Sequence, residues 1–282
     1  MAVTSPPPPP SSHVSGEQRL PLPTSIFGRR IFYGWYIVAV AFFAAMMSSG
    51  VSAYSVGIFV TPMSDELGWS RTALSFGQTA STAGMGVAGL FIGGLLDRRG
   101  GRGLMVVGAV FAGAGYILLG QVQELWQYYA VQAGVVTLGM AGMGAMVTNV
   151  AVSNWFVRRR GRAIAISAMG ISVTALVLPT VASWMIEEWG WRAAWAGIGV
   201  AIWVVVIPPS WVVMRRRPED YGLEPDGGVA PVLDEQREAQ RQELDGAIWT
   251  RREALRTPAL WMLILSFGLG TMGFSALLLH LF

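Results

Sequence analysis

The sequence contains no cysteine and no lysine, and its two histidines, His13 and His280, stand near opposite ends of the chain. Without cysteine there is no disulfide framework, no thiolate nucleophile and no cysteine-based metal site. The two histidines are too far apart to give a metal-ligand spacing, so no metal and no other cofactor is predicted. Only 13% of the 282 residues are charged, against roughly 25% in soluble domains, and this argues against a water-soluble fold.

Long hydrophobic runs dominate the rest of the sequence. Hydrophobic residues make up 53% of the chain, which also holds 35 glycines and 12 tryptophans. Glycine is frequent in membrane helices, and tryptophan collects at membrane interfaces. About 20 apolar residues cross a hydrocarbon core as a helix. Seven spans are predicted on this basis: Trp35 to Val60, Thr72 to Leu96, Gly103 to Leu119, Trp126 to Ser153, Arg162 to Met185, Trp191 to Val213 and Ala259 to Phe282.

The distribution of arginine predicts the orientation of these spans. Of the 20 arginines, 18 lie before the first span or in the loops after the second, fourth and sixth spans. The alternate loops contain only Arg71 and Arg192. Because arginine in short loops stays on the cytoplasmic side, the N-terminus is predicted to be cytoplasmic and the seventh span to end outside. Arginine without lysine is typical of a GC-rich bacterium, so the plasma (inner) membrane is the predicted location.

The chain divides into four predicted regions. Residues 1–30, with Pro6 to Pro10, are predicted to be a disordered cytoplasmic tail. Residues 31–213 form a six-helix transmembrane half, and residues 214–258 form a charged cytoplasmic linker with 8 arginines and 10 acidic residues. Residues 259–282 are the seventh helix. This all-α layout is that of one half of a twelve-helix transporter plus the first helix of its second half, so the chain is expected to be truncated.

A faint internal repeat accompanies this layout. Glu66-Leu67-Gly68-Trp69-Ser70-Arg71 before the second span is similar to Glu188-Trp189-Gly190-Trp191-Arg192 before the sixth. Both segments are predicted to lie outside the cell. Nested repeats of three helices would produce such a pattern.

The strongest local motif is the loop between the second and third spans, Gly93-Gly94-Leu95-Leu96-Asp97-Arg98-Arg99-Gly100-Gly101-Arg102. A carboxylate with arginines in reach on a tight glycine turn can hold one closed conformation together and release it when two halves move apart. The alternative is a solvated loop whose arginines only fix the topology. The sequence here resembles the major facilitator superfamily, whose signature between helices two and three reads G-x-L-a-D-r-x-G-r-k. The resemblance implies a conformational latch at Gly93, Asp97, Arg98, Gly100 and Arg102, in which Gly101 replaces the second basic residue.

Other segments are similar to the monocarboxylate and oxalate:formate antiporter branch of that family, over about residues 31–220 and 254–282. They are Tyr33-Gly34-Trp35-Tyr36, Pro62-Met63 with Glu66-Leu67-Gly68-Trp69-Ser70-Arg71-Thr72, Asn154-Trp155-Phe156 before Arg158-Arg159-Arg160-Gly161-Arg162, and Gly273-Phe274-Ser275 with Leu279-His280-Leu281. One departure is that Arg29, Arg30 and Tyr33 stand where animal monocarboxylate transporters carry an acidic residue. The G-P-x-x-G-G pattern of drug efflux proteins is absent from residues 170–179, which makes a drug:proton antiporter less favoured.

Polar residues within the spans are the candidate lining of a substrate cavity. Ser48, Ser52 and Ser55 share one α-helical face in the first span, and Ser167 and Thr174 share a face in the fifth. Gln132 and Thr137 lie in the fourth span, and the resemblance implies that helices one and four line the path while five borders it. The alternative for each is hydrogen bonding between helices. His280 is a candidate proton or substrate contact, although a lone histidine near the end of a span is more often an interface residue.

Spans one to six carry no acidic residue or arginine at mid-membrane, and the resemblance places the cations that hold a carboxylate on helices eight and eleven. The predicted function is secondary active transport of small organic anions such as monocarboxylates by alternating access, with a proton or an exchanged anion as the coupling ion. Membrane lipid is a further partner, nucleic acid is not, and the missing C-terminal half is required for transport. Efflux of other small solutes and a non-transporting seven-helix protein remain the alternatives.

Rival classes need residues that the sequence lacks. A retinal protein needs a lysine for its Schiff base, and a receptor normally has its N-terminus outside. Intramembrane hydrolysis has only Ser275 and His280 to offer, five residues apart on one helix and facing different ways. The protein is therefore not predicted to be an enzyme.

Overall fold

The computed structural model describes residues 32–221, 223 and 225–227, two short strands, and residues 256–263, 265, 266 and 269 of the seventh hydrophobic run. The chain forms two compact units, Met1–Val229 and Ala230–Phe282. In the first unit, strand β1 (Ser25–Ile26) pairs antiparallel with β2 (Arg29–Arg30) inside the predicted tail. The rest of that tail and most of the predicted linker lie outside the described residues.

Six helices follow in the first unit, in the order predicted for the first six spans. Helix α1 (34–67) consists of Gly34–Ala45, a π-helical turn Met46–Gly50, and Val51–Leu67. Helices α2 and α3 are Arg71–Arg99 and Gly101–Leu119. Helix α4 (125–155) consists of Leu125–Tyr129, the π-helical stretch Ala130–Val136, Thr137–Met143 and Ala145–Trp155. Helices α5 (160–189) and α6 (191–213) are the two parts of the helical stretch Arg160–Val213.

Gly190 separates α5 from α6. The stretch Arg160–Val213 has 54 residues, which would extend about 80 Å as one helix, far beyond a hydrocarbon core of about 30 Å. Gly190 adopts φ +81°, a left-handed conformation that glycine reaches without a steric penalty. Within the described residues, five helical stretches are long and apolar enough to cross a membrane, this one included. Its division at Gly190 gives six candidate membrane-spanning helices, which is the number of spans that the sequence predicts for this part of the chain.

The turns between helices lie alternately at the two ends of the bundle. The arginine-rich end carries the segments 98–102, 156–162 and 214–227, and the opposite end carries 68–70, 120–124 and Gly190. Gly68 and Gly100 end α1 and α2 with φ of +70° and +75°. At the start of α2, Ser70 Oγ accepts a hydrogen bond of 3.2 Å from the N–H of Ala73, which is the usual way a serine caps a helix.

Close approach of helix backbones builds the core around α3. A Cβ atom on Gly108 would lie 2.8 Å from the carbonyl oxygen of Gly139, so α3 and α4 meet backbone to backbone. On the other side of α3, a Cβ on Gly113 would lie 2.7 Å from the carbonyl oxygen of Gly199 in α6. Small residues permit such contacts, which are how membrane helices associate where lipid supplies no hydrophobic drive.

Two of the aromatic motifs singled out in the sequence meet at the arginine-rich end. The ring of Tyr33 lies 5.2 Å from that of Trp155, and Trp35 lies 5.1 Å from Phe156 in an edge-on arrangement. A Cβ on Gly34 would lie 2.8 Å from the ring of Phe156. The start of α1 is therefore anchored on the end of α4 by aromatic contacts and by a glycine that leaves room for them.

The outward faces are apolar. Leu90 and Phe91 of α2 and Leu176 of α5 are 73%, 74% and 78% exposed. Water would penalise so much exposed hydrocarbon, whereas lipid accepts it, and the helices leave no open sheet edge in the spans. The chain is a multi-pass membrane protein. In the second unit, residues 258–263 are helical, and the N–H of Leu260 donates to the carbonyl oxygen of Thr257 at 3.1 Å.

Candidate functional site

Three helices bring polar side chains together inside the apolar bundle. The amide nitrogen of Gln78 in α2 lies 3.4 Å from both the carbonyl oxygen and the Oγ of Ser52 in α1. The amide nitrogen of Gln132 in α4 donates to Gln78 Oε1 at 3.2 Å. We call Ser52, Gln78 and Gln132 the amide relay. It joins α1, α2 and α4 through uncharged groups.

Two small cavities adjoin the amide relay, and Gln132 borders both. One has a volume of about 30 Å³ and lies between α1, α2 and α4. The other has about 10 Å³ and lies toward α6 and the opposite end of the bundle. The larger cavity is lined by Ser52, Gln78, Ser81, Thr82, Met85, Gln132, Val136, Thr137 and Met140. The smaller one is lined by Ser55, Phe59, Val60, Met63, Leu74, Tyr128, Gln132 and Trp195.

Three hydroxyls that were predicted to line a substrate cavity donate hydrogen bonds to backbone carbonyl oxygens. Thr137 Oγ1 donates to the carbonyl oxygen of Gln132 at 2.8 Å, across the π-helical stretch of α4. Thr174 Oγ1 donates to the carbonyl oxygen of Met46 at 2.8 Å and ties α5 to the π-helical turn of α1. Ser167 Oγ donates to the carbonyl oxygen of Ile164 at 2.8 Å. Thr137 lines the larger cavity as well; Ser167 and Thr174 line neither.

The three predicted serines of α1 separate in the structure. Ser52 lines the larger cavity and Ser55 the smaller one, and Ser55 shares a hydrogen bond with Tyr116 of α3. Ser48 is 1% exposed, and its Oγ has no hydrogen-bond partner in the described part of the chain. The π-helical turn Met46–Gly50 contains Ser48 and changes the α-helical spacing on which the common face was predicted.

The sequence prediction missed the contribution of α2. Gln78, Ser81 and Thr82 all line the larger cavity, and Ser81 Oγ donates to the carbonyl oxygen of Gln132 at 3.0 Å. Their spacing of three and four residues places them on one helical face. A glutamine in the middle of an apolar span was the signal that could have identified this helix.

The latch residues predicted from the loop motif lie at the end of α2 and the start of α3. Gly100 forms the left-handed turn, and its N–H donates to the carbonyl oxygen of Leu96 at 2.8 Å. A Cβ on Gly93 would lie 3.1 Å from Met146 in α4. The guanidinium of Arg102 lies 4.5 Å from the ring centroid of Trp211 in α6, a cation–π contact, and Arg98 is exposed. Asp97 belongs to α2, but its side chain lies outside the described part, as does the whole of His280.

A pocket of about 290 Å³ adjoins this loop at the arginine-rich end. Its lining combines Gly100 and Gly101 with Asn154 and three consecutive arginines that follow α6. The backbone of this segment is held by donors from neighbouring helices: Trp155 Nε1 donates to the carbonyl oxygen of Arg215 at 3.3 Å, and Asn154 Nδ2 to that of Arg216 at 3.3 Å. The pocket residues are Leu96, Gly100, Gly101, Val150, Ala151, Asn154, Arg215, Arg216 and Arg217.

The phenol of Tyr33 fastens the end of α6 to the start of α1. Its hydroxyl donates to the carbonyl oxygen of Val213 at 2.8 Å. Burial raises the pKa of Tyr33 above its ordinary value of 10, and the positive charge of Arg215 opposes that increase. The hydroxyl therefore keeps its proton and remains a donor at neutral pH.

Asp226 closes the same end of the bundle. Its Oδ2 accepts hydrogen bonds from the N–H groups of Val157 at 3.0 Å and Arg158 at 2.6 Å, and its Oδ1 accepts from the N–H of Arg159 at 3.3 Å. These three N–H groups precede the first turn of α5 and have no helical partner. Asp226 is 9% exposed and adopts φ +58° in the turn Pro225–Gly227. We call this contact the Asp226 cap.

A charged contact joins three segments at the opposite end. Glu66 Oε1 lies 3.0 Å from Arg192 Nη2, and Glu66 Oε2 accepts a hydrogen bond of 2.6 Å from Trp191 Nε1. Arg192 Nη1 also lies within 3.4 Å of the carbonyl oxygen of Val122, between α3 and α4. The two segments that echo one another in the sequence are thus in direct contact.

The described first unit is a six-helix membrane bundle with a small neutral polar centre and basic loops at one end, the architecture of half a polytopic membrane protein of the transporter class. Comparison with known families gives the particular family. The profile of the Major Facilitator Superfamily matches residues 38–282, and the chain belongs to that family. The fold predicted from the sequence motifs is confirmed.

Curated relatives of the chain carry transporter names. Human monocarboxylate transporter 6 is 28% identical over 156 residues, which are 54% of this chain and 31% of that protein. A probable L-galactonate transporter of Escherichia coli K12 is 27% identical over 234 residues, 80% of this chain and 48% of that protein. The fujikurins efflux protein of Gibberella fujikuroi is 31% identical over 103 residues, 36% of this chain and 22% of that protein. The chain spans about half the length of these relatives or less.

Proposed function

We propose that this protein is the N-terminal portion of a secondary active transporter that carries small organic anions, such as monocarboxylates, across a plasma membrane. The observation that carries the proposal is the amide relay with its two cavities, buried in the apolar spans of a Major Facilitator Superfamily member. Buried polar groups in membrane spans are costly and mark solute paths. The names of two relatives, one a monocarboxylate transporter and one a probable L-galactonate transporter, favour an acid as the solute.

The neutral character of the two small cavities beside the amide relay supports a division of labour between two halves. Gln78, Gln132 and the hydroxyls around them offer hydrogen bonds but no positive charge. They suit the uncharged part of an organic acid, because a carboxylate in this apolar setting would need a cation. The cation would come from the second half, as the resemblance to the monocarboxylate branch implies for helices eight and eleven.

Alternating access is the proposed mechanism. The two halves rock about a site near the membrane midplane, and a cluster at the arginine-rich end stabilises one closed state. Gly93, Asp97, Arg98, Gly100 and Arg102 form that latch in the proposal, with the left-handed turn at Gly100 setting the loop geometry. A proton or an exchanged anion couples transport to a gradient.

Uptake of radiolabelled carboxylates by cells that express the full-length transporter, with both halves, tests the proposal. Wild-type cells are expected to accumulate at least one short mono- or dicarboxylate above vector controls. Asp97→Asn is expected to lower that uptake at least tenfold without loss of protein from the membrane. Asp65→Asn, the same change at an exposed position of α1, serves as the matched control. Unchanged uptake by Asp97→Asn contradicts the latch, and no carboxylate uptake by any form contradicts the function.

Labelling of single introduced cysteines tests the proposed orientation. Gly161 at the arginine-rich end and Gln123 at the opposite end are both exposed, and the 282 residues contain no cysteine, so Gly161→Cys and Gln123→Cys each introduce a single thiol into this chain. A membrane-impermeant maleimide added to intact cells is expected to label residue 123 and to reach residue 161 only after lysis. The reverse pattern would contradict a cytoplasmic N-terminus.

A further inference from the structure

Gln132 carries a buried hydrogen-bond acceptor that no described group fills. The residue is 6% exposed, and its side-chain oxygen, Oε1, has no hydrogen-bond partner among the residues that the structure describes. Its amide nitrogen is engaged with Gln78 Oε1 at 3.2 Å. An unpaired acceptor in an apolar interior is unfavourable, so such a group in a native protein calls for a partner that arrives from elsewhere.

The direction of the amide relay follows from one backbone carbonyl. The carbonyl oxygen of Ser52 can only accept, so the group of Gln78 that faces it at 3.4 Å must be the amide nitrogen. The oxygen of Gln78 then faces Gln132, which must offer its own nitrogen there. Turning the Gln132 amide over would set two oxygens against each other. The free end of the relay is therefore an oxygen, which requires a donor.

Four hydroxyls that line the two cavities donate to backbone carbonyl oxygens. Ser81 Oγ donates to the carbonyl oxygen of Gln132 at 3.0 Å, and Thr137 Oγ1 donates to the same carbonyl at 2.8 Å. Thr82 Oγ1 donates to the carbonyl oxygen of Gln78 at 3.0 Å. In the smaller cavity, the hydroxyl of Tyr128 donates to the carbonyl oxygen of Leu74 at 3.0 Å. These four side chains use their only O–H within the protein, so none of them completes Gln132.

The space beside Gln132 sets the size of the missing donor. The larger cavity, about 30 Å³, accommodates a group of the size of a water molecule or a hydroxyl. A carboxylate is excluded on chemical grounds, since it carries no donor and would place its charge against the oxygen. A hydroxyl on an uncharged part of the solute fits both the volume and the hydrogen-bond direction.

We propose that Gln132 is a specificity-determining residue, whose Oε1 accepts a hydrogen bond from a hydroxyl of the transported acid, so that hydroxy acids are preferred over the same acids without the hydroxyl. This inference rests on the proposed function. A site built to pair with a hydroxyl discriminates strongly against an analogue that lacks it, because the buried acceptor is then left unpaired.

Competition for uptake in cells that express the full-length transporter tests the inference with propanoate, 2-hydroxypropanoate, 3-hydroxypropanoate and 2,3-dihydroxypropanoate. These acids share one charge and one chain length and differ in their hydroxyls. For wild-type protein, at least one hydroxylated acid is expected to compete about tenfold or more better than propanoate. Gln132→Met, which keeps the length of the side chain without the acceptor, is expected to bring that ratio toward one. Gln121→Met, the same change at an exposed residue after α3, is expected to keep the wild-type ratio.

The outcomes separate this inference from the function on which it rests. Equal competition by all four acids in wild-type protein overturns the role of Gln132 and leaves anion transport standing. Equal competition that rises with acidity overturns it too, because the donor would then be the proton of the carboxylic acid itself. A ratio preserved in Gln132→Met protein that reaches the membrane also overturns it. If none of the acids enters or competes, the proposed function is overturned, and the role of Gln132 is overturned with it.

Discussion

Replacement of Asp226 tests whether the segment after α6 holds the start of α5. The carboxylate accepts three backbone hydrogen bonds, of 2.6, 3.0 and 3.3 Å, from residues 157–159. Helix caps contribute about 1 kcal/mol and up to about 2, and hydrogen bonds to charged groups about 1.5–3. Asp226→Gly removes all three bonds and retains the left-handed backbone, so a loss of about 2–3 kcal/mol in local stability is expected. Asp226→Asn keeps one oxygen acceptor and is expected to lose about 1 kcal/mol.

Amide hydrogen exchange of a peptide that covers residues 157–163, measured in detergent or nanodiscs, reads this local stability directly. Each 1.4 kcal/mol corresponds to a tenfold change in the opening equilibrium. The expected acceleration is therefore about fivefold for Asp226→Asn and about 30-fold to 150-fold for Asp226→Gly. Asp226→Ala is expected to exchange faster still, because φ +58° costs a residue with a Cβ about 1–2 kcal/mol.

Asp220→Asn supplies the matched control, since Asp220 is exposed in the same short segment. It is expected to leave exchange of residues 157–163 at the wild-type rate. Exchange of Asp226→Gly within twofold of wild type would refute the Asp226 cap as a stabilising contact.

Three further substitutions report on packing and on both ends of the bundle, each followed by thermal unfolding in detergent. Gly108→Val is expected to lower the free energy of unfolding by about 1–3 kcal/mol, because the added side chain forces α3 away from α4. Gly86→Val is the control and should change stability little, because no atom lies within 4 Å of a Cβ at that position. Equal effects of the two substitutions would contradict the backbone contact. Glu66→Gln is expected to lower the free energy of unfolding by about 1 kcal/mol or less, because the side chains of Arg192 and Glu66 are 39% and 52% exposed. The substitution should also make stability depend less on salt. An unaltered salt dependence would contradict the ion pair. Tyr33→Phe is expected to lose about 1 kcal/mol with its hydrogen bond. Since the folded pKa of Tyr33 is raised above 10, wild-type stability from this group should persist below pH 10 and fall as pH rises through the folded pKa, a decline that the variant should lack.

The number and order of the six helices could be predicted because two simple signals agree. Long apolar runs locate the spans, and arginines mark every second loop. The separation of the fifth and sixth spans was predicted, but the break between them is narrower than expected, because Gly190 alone reverses the chain with φ +81°. A glycine among tryptophans and acidic residues does not reveal from the sequence that it carries the whole turn.

The interior of the site could be predicted only in part. Ser52, Ser55, Gln132 and Thr137 line the two small cavities, and their contact with a substrate stays a prediction. Ser48 departs from them because a π-helical turn interrupts the α-helical periodicity of α1. No local sequence signal distinguishes five π-helical residues from α-helical ones, since the choice depends on the carbonyl of Met46, which bonds to Thr174 from another helix.

The Asp226 cap was beyond sequence reasoning for a different reason. It joins residues almost 70 positions apart, and Asp226 looks like an ordinary turn residue between proline and glycine. Only the folded arrangement shows that the turn places a carboxylate on three unpaired N–H groups. The same limit applies to the contact between Glu66 and Arg192, whose two segments resembled one another without any indication that they touch.

The π-helical segments Met46–Gly50 and Ala130–Val136 also affect how this chain should be aligned with other proteins. Each holds an extra residue relative to a regular helix and rotates everything after it by about 100°. A relative that lacks the π-helical segment would match the same lining positions only if its sequence were aligned with a gap of one residue inside the span. A single-residue gap in the middle of α1 or α4, which alignment practice treats as an error, would then be the correct superposition.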